Sequence, residues 1–130
     1  MAYRLKILTA NAGLDAIAAL FPAGSILEIY KDTIPTNADT AVGAQTKLAS
    51  ITLPATPWAA AGFRAVVSQG VWSVAAAAGV ADTPTWFRLK NAADTHRIDG
   101  TCGIGSGDLN FDGTITSGQT VTITSFTITD

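Results

Sequence analysis

With 130 residues, the chain has the length of one domain, long enough to bury roughly two-thirds of the surface its extended form exposes. Only 14% of the residues are charged against a usual share of about 25%, and 48% are hydrophobic, so either Thr and Ala coat much of the surface or a partner covers part of it. A formal net charge of −2 with no basic run excludes nucleic acid as the main ligand, and one Cys and one His allow neither an internal disulfide nor a His-rich metal site.

No stretch reaches the ~20 apolar residues of a membrane span. Asn11 and Asp15 interrupt the apolar run that a secretory leader needs after Arg4 and Lys6, so the expectation is a soluble product made inside the cell. Residues 3–8 alternate polar and apolar, with Leu5 and Ile7 on one face, and suit an edge strand or an arm that reaches a neighbour. Over residues 12–20 the spacing becomes helical. Leu14, Ile17, Leu20 and Phe21 form an apolar stripe, Asn11 offers an N-cap, Asp15 lies near the positive end, and Pro22 and Gly24 stop the helix. So short a helix is marginal alone and must be held by its stripe, as a lid on a sheet or a piece of an interface.

Residues 25–30 read as the first core strand, with Leu27 and Ile29 on one face and Glu28 and Tyr30 on the other. Residues 32–45 hold Pro35, Asn37, Asp39 and Gly43 with little bulk to bury, which predicts a long exposed loop. A strand returns over residues 46–53, where Ala49, Ile51 and Leu53 face one way, until Pro54 and Pro57 end it. Residues 63–67 and 71–75 then bracket Ser68-Gln69-Gly70, a hairpin pattern in which Gly70 supplies a positive φ and Trp72 shares a face with Val74. Residues 75–81 suit a helical turn or a flat edge equally.

The last third of the chain carries the clearest β signature: short runs rich in β-branched and aromatic residues, separated by Gly, Asn, Asp and Ser, as in an antiparallel sheet. Phe87 and Leu89 share one face. Trp86, Arg88 and Lys90 share the other, which predicts an outward Trp86 that packs over an aliphatic stem or meets a protein partner. Ile98, Gly100 and Cys102 face inward against Arg97 and Asp99, with Cys102 as a small core residue. In the terminal run of residues 120–128, Val121 and Ile123 have one parity and Phe126 and Ile128 the other. A β-bulge near Thr124-Ser125 would keep all four on the core side of one long strand.

Little in the sequence points to catalysis. Asp108-Leu109-Asn110-Phe111-Asp112-Gly113 matches the start of an EF-hand-type calcium loop, but Gln119 at position twelve lacks the bidentate carboxylate, and a strand, not a helix, follows. Asp, Asn and Gly also suit a plain turn, which is the preferred reading, with calcium left open. His96 lies near Asp94 and Asp99 without a nucleophile context, the glycines at 100, 103, 105 and 107 precede no helix, and Glu28 is the only glutamate. The expectation is a protein that is not an enzyme and needs no cofactor or metal.

Read in order, the runs Ser25-Ile26-Leu27-Glu28-Ile29-Tyr30, Ile34-Pro35, residues 46–53, Thr85-Trp86-Phe87-Arg88-Leu89, Ile98-Asp99-Gly100-Thr101, Asp108-Leu109-Asn110 and residues 123–128 resemble a family of small tailed-bacteriophage virion proteins. The resemblance covers nearly all of the chain after the helix. It implies a structural role among head and tail proteins, and within that group a capsid cement or decoration protein. The implied fold is a single jelly-roll-like antiparallel β-sandwich over residues 25–130, preceded by an arm and short helix over residues 1–24. The implied partner is the major capsid protein shell, contacted through many modest, repeated contacts by a homo-oligomer on the virion surface. The family more often has Gly-rich, turn-like sequence where this chain has Trp58 and Trp72, which suggests that those tryptophans serve its own partner. Candidate interface residues are Tyr3, Leu5, Ile7, Trp58, Phe63, Trp72 and Trp86, and removal of Trp58 and Trp72 is expected to release the protein while leaving the fold intact. Two rival readings are a tail or head-fibre adhesion or connector module that binds another virion protein or a host glycan, and a cell-encoded β-sandwich binding domain.

Overall fold

The structure, a computed structural model, describes residues 4–77, 81–104, 107–111 and 114–129. It is an all-β, sandwich-like fold of antiparallel sheets with one short helix. The helix, α1, spans Ile7–Ala19 and begins five residues earlier than its apolar spacing predicts. The buried stripe is Ala10, Leu14 and Ala18, spaced four apart, whereas Ile17 and Leu20 are exposed. Small residues at two of the three buried positions let the helix lie close to Val66, with which Leu14 and Ala18 pack. Leu5 and Ile7 are therefore not on an edge strand: Leu5 precedes the helix and Ile7 is its first residue. Asn11 and Asp15, one turn apart inside the helix, are not caps. Their Oδ1 atoms accept the backbone N–H groups of Arg64 at 3.0 Å and Ala61 at 2.8 Å, stapling residues 61–64 to α1.

The main sheet has five strands in the order β2-β1-β5-β6-β7: β1 Ile26–Tyr30, β2 Lys47–Thr52, β5 Trp86–Lys90, β6 Arg97–Ile104 and β7 Leu109–Phe111. Its first three pairings are antiparallel, but β6 and β7 run parallel, against the expectation of a wholly antiparallel sheet. Gly107, at φ +85°, sits so close that a Cβ there would lie 3.0 Å from the Cys102 carbonyl carbon and 3.1 Å from the Thr101 oxygen.

Opposite this sheet lie two ribbons. β3 (Ala65–Val67) pairs with β9 (Thr127–Thr129), and β4 (Trp72–Ala75) pairs with β8 (Thr120–Ile123). Ser68-Gln69-Gly70 is consequently no hairpin turn, although Gly70 does adopt φ +80°. The ribbons are two halves of one long pairing, bent at a corner where the Ser68 N–H reaches the Phe126 carbonyl (2.8 Å) and the Phe126 N–H reaches Ser68 Oγ (2.9 Å). At the corner three residues, 69–71, face two, 124–125, so the register slips by one. The parity change in the terminal run marks that slip; what it does not show is that the run divides into two strands. Val121, Ile123 and Phe126 are all buried and Ile128 is half-buried against them.

Between the layers lies a core that includes Leu27, Ile29, Ile51, Phe87, Leu89, Trp72, Val121 and Phe126. Gly100, opposite Phe87 across β5 and β6, belongs to it for want of a side chain: a Cβ there would lie 2.4 Å from Phe87 Cζ. Phe87 is itself edge-on to Phe126 at 5.2 Å and has little room to yield. Gly100→Ala is therefore expected to destabilise the fold by about 1–3 kcal/mol, and the added substitution Phe87→Leu to recover part of the loss, both read from urea unfolding. No helix among the described residues is long and apolar enough to cross a membrane.

Candidate functional site

Two regions have unusual chemistry, and the predicted interface residues among the described ones divide between these two and the core. Trp72 and Trp86 are both fully buried. Trp72 stacks on Phe126 with centroids 5.6 Å apart and donates through Nε1 to the Gln69 carbonyl at 3.1 Å. Trp58 is half-buried, edge-on to Trp72 at 5.1 Å, and donates to the Phe21 carbonyl at 2.9 Å. Trp86 lies on the face its parity assigns, beside Arg88, but that face is not solvent. Its ring stacks on Tyr30 at 4.4 Å, and the Arg88 guanidinium carbon lies 5.7 Å from its centroid. Trp72 and Trp86 are thus packing residues with no surface to offer a partner, which corrects their assignment as contact aromatics, whereas Trp58 packs on Trp72 and keeps part of its surface exposed. Tyr3 lies outside the described residues.

The other three predicted residues, Leu5, Ile7 and Phe63, sit at the surface around the start of α1. Gly62 and Ala65 close a two-residue turn by mutual backbone hydrogen bonds of 2.9 and 3.0 Å. Its central residues Phe63 and Arg64 have φ values of +49° and +64°. Such a turn favours Asn-Gly, and each non-glycine residue held there costs about 1–3 kcal/mol. The cost is offset by anchorage to the helix: Asn11 holds the N–H of the central Arg64, Asp15 holds the flank at Ala61, and the Arg64 guanidinium donates to the Leu5 carbonyl. The result is an aromatic ring 93% exposed, on a turn bound to α1, whose first residues Ile7 and Leu8 are exposed too, Leu8 by 70%. Sequence reasoning missed Leu8, since an edge-strand reading of residues 3–8 gives it no role and only a helical start at Ile7 turns it outward.

The second region is the outer face of the main sheet. Here Arg88 is paired bidentately with Asp99, at 2.7 Å from Nε and 2.9 Å from Nη2, with the Arg88 side chain buried and that of Asp99 nearly so. The hydrogen bond to Asp99 holds the guanidinium above its ordinary pKa in spite of burial. Glu28, directly opposite Arg88 on β1, is also buried, and its carboxylate lies between Lys47 (2.6 Å) and Lys90 (3.1 Å). Burial pushes this carboxyl up, but hydrogen bonds and charge from the two lysines outweigh it, and the group stays below its ordinary range. Burial and the Glu28 charge push the neighbouring Tyr30 hydroxyl well above its ordinary value. Arg97 binds Asp94 through Nε (2.7 Å) and Nη2 (2.8 Å). Through Nη1 it holds the Ala38 and Asp39 carbonyls, pinning the 31–46 loop to the sheet. That segment is otherwise the exposed loop its composition predicts.

The remaining reactive groups are committed elsewhere. Burial pushes the Cys102 thiol up to about 12, which leaves it a poor nucleophile. His96 is exposed in a turn, where its backbone N–H binds Asn91 Oδ1. Of the calcium-like motif, Asp108 accepts the Thr101 N–H and hydroxyl at 2.9 and 3.0 Å, whereas Asp112 and Gly113 lie outside the described residues. Gln119 Oε1 closes a turn on Thr116. Comparison of the chain with protein-family models, with curated proteins and with solved structures found no match.

Proposed function

We propose that the chain is a non-enzymatic structural protein of a tailed-bacteriophage virion, a cement protein that docks on the major capsid protein shell as a homo-oligomer. The observation that supports docking is the exposed Phe63 ring, held out by a turn whose backbone is strained and which is tied to α1, near whose start Leu5, Ile7 and Leu8 are exposed as well. An exposed aromatic side chain is a common protein-contact hot spot, and repetition over a shell multiplies a modest affinity into avidity. The low share of charged residues, 14%, accords with a surface that is partly covered in the assembly. The likeness to virion proteins supplies the particle.

Stability and docking should separate at Phe63. Because glycine adopts φ +49° without strain, Phe63→Gly is expected to leave the fold as stable or up to about 1 kcal/mol more stable. The same change is expected to reduce occupancy on purified particles by roughly thirtyfold at limiting protein, the effect of losing one hot-spot residue. Undiminished occupancy would refute the docking surface. Mass analysis of particles that found no copies of the protein would refute the virion assignment itself.

A further inference from the structure

The polar face of the main sheet forms one wall of a cavity of about 260 Å³, closed on one side by Ala41 and Val42 of the 31–46 loop. Its charge does not cancel. Arg88 is neutralised by Asp99 and Arg97 by Asp94, each bidentately, but Glu28 alone faces two ammonium groups, Lys47 and Lys90. These pairs leave one positive charge in excess on the lining of a partly enclosed site, where charges interact more strongly than in open water, while the Asp39 carboxylate, outside the lining, also acts on Arg97. The donor count agrees. Each ammonium carries three N–H groups and gives one to Glu28, and each touches a different carboxylate oxygen, so the two bracket the anion. Among the described residues no second acceptor meets either lysine. Glu28 is fixed beneath them, only 3% exposed, and draws both heads to the cavity, where the Lys90 side chain is 24% and the Lys47 side chain 45% exposed.

We propose that this cavity binds a compact oxyanion, a carboxylate or phosphate group bridged between Lys47 and Lys90. The volume limits the ligand. At about 30 Å³ per water the cavity holds on the order of eight waters, and it falls below the ~300 Å³ at which pockets for drug-sized molecules begin. A free phosphate, a small phosphate ester or a short dicarboxylate fits, and an oligosaccharide does not. The site is on the sheet face and is independent of the docking role of Phe63.

The test is titration of the full chain with inorganic phosphate and, separately, with succinate, followed by amide chemical shifts at ionic strength matched with chloride. The expected result is a saturable shift of the Glu28, Lys47 and Lys90 amides with at least one of the two anions. A response to phosphate alone assigns a tetrahedral ligand and a response to succinate alone a carboxylate. Lys47→Met and Lys90→Met are each expected to weaken binding roughly tenfold or more, the effect of losing one charge-assisted hydrogen bond. Lys47→Arg should retain binding, and Lys31→Met, which removes a pair with Asp82 away from the cavity, should leave it unchanged. No saturable response to either anion in the unaltered protein, or undiminished binding in both methionine variants, would overturn the proposal.

Discussion

Asp99→Ala is expected to lower the unfolding free energy by about 3–5 kcal/mol, because it strands a buried guanidinium. Both oxygens of Asp99 are occupied by Arg88, whose side chain is 2% exposed, and the pair lies mid-strand at matched positions of β5 and β6. The remaining neighbours cannot substitute. Glu28, opposite Arg88 on the other side, is already shared between Lys47 and Lys90, and the Trp86 ring provides only a weak cation–π contact. For a domain of this size the loss corresponds to a fall in melting temperature of about 10 °C or more. Replacing both partners, as in Arg88→Met with Asp99→Leu, removes the stranded charge along with the pair and is expected to cost much less than Asp99→Ala alone. Thermal unfolding of the single and double variants checks both statements. A single variant within about 1 kcal/mol of the parent would mean that water reaches Arg88 and that this face of the sheet is open.

That face marks the limit of what the sequence discloses. The alternation of Leu27 and Ile29 with Glu28 and Tyr30, and of Phe87 and Leu89 with Trp86 and Arg88, assigns every side chain to its correct side of the sheet. Parity fixes sides, however, and says nothing about what covers them. A strand with one apolar and one polar face reads as half-solvated, and here the polar face is buried by its own ion pairs and by aromatic stacking. A tryptophan on the charged parity is the available hint, because so large a ring is seldom left in water. The same limit explains the division of the terminal run. The slip between Ile123 and Phe126 is visible in the sequence, but nothing local reports that residues 69–71 bend with it, since that pairing joins segments more than fifty residues apart.

The exposure of the proposed docking residues was partly legible in the sequence. Leu5 and Ile7, on one face of the expected arm or edge strand, and Phe63, at the start of the expected hairpin, are all exposed. Their grouping depends on contacts that no spacing rule contains: Asn11 and Asp15, which suit a helix start by composition, bind a turn some fifty residues away instead. A polar residue that can cap a helix can equally satisfy the backbone of a distant loop, and tertiary structure decides between the two.

Trp72→Ala is expected to cost about 3–5 kcal/mol, enough to unfold much of a marginally stable domain. Trp72 has no exposed surface. It meets Phe126, Trp58 and the facing strand at Ile123, and it follows directly on the corner that joins the two ribbons. Its removal leaves a void that the rigid Trp58 and Phe126 rings cannot fill, and it orphans the Gln69 carbonyl at the corner itself. Trp72→Phe keeps most of the volume and is expected to lose roughly half as much. Urea unfolding with an unchanged m value would identify the effect as lost packing in an intact fold, whereas a reduced m value would indicate that the ribbons separate when the corner is released. A surface-anchoring tryptophan would behave in the opposite way, with stability retained and particle binding lost. If Trp72→Ala lowered stability by less than about 1 kcal/mol while abolishing docking, the two-layer core described for this protein would be wrong at its centre.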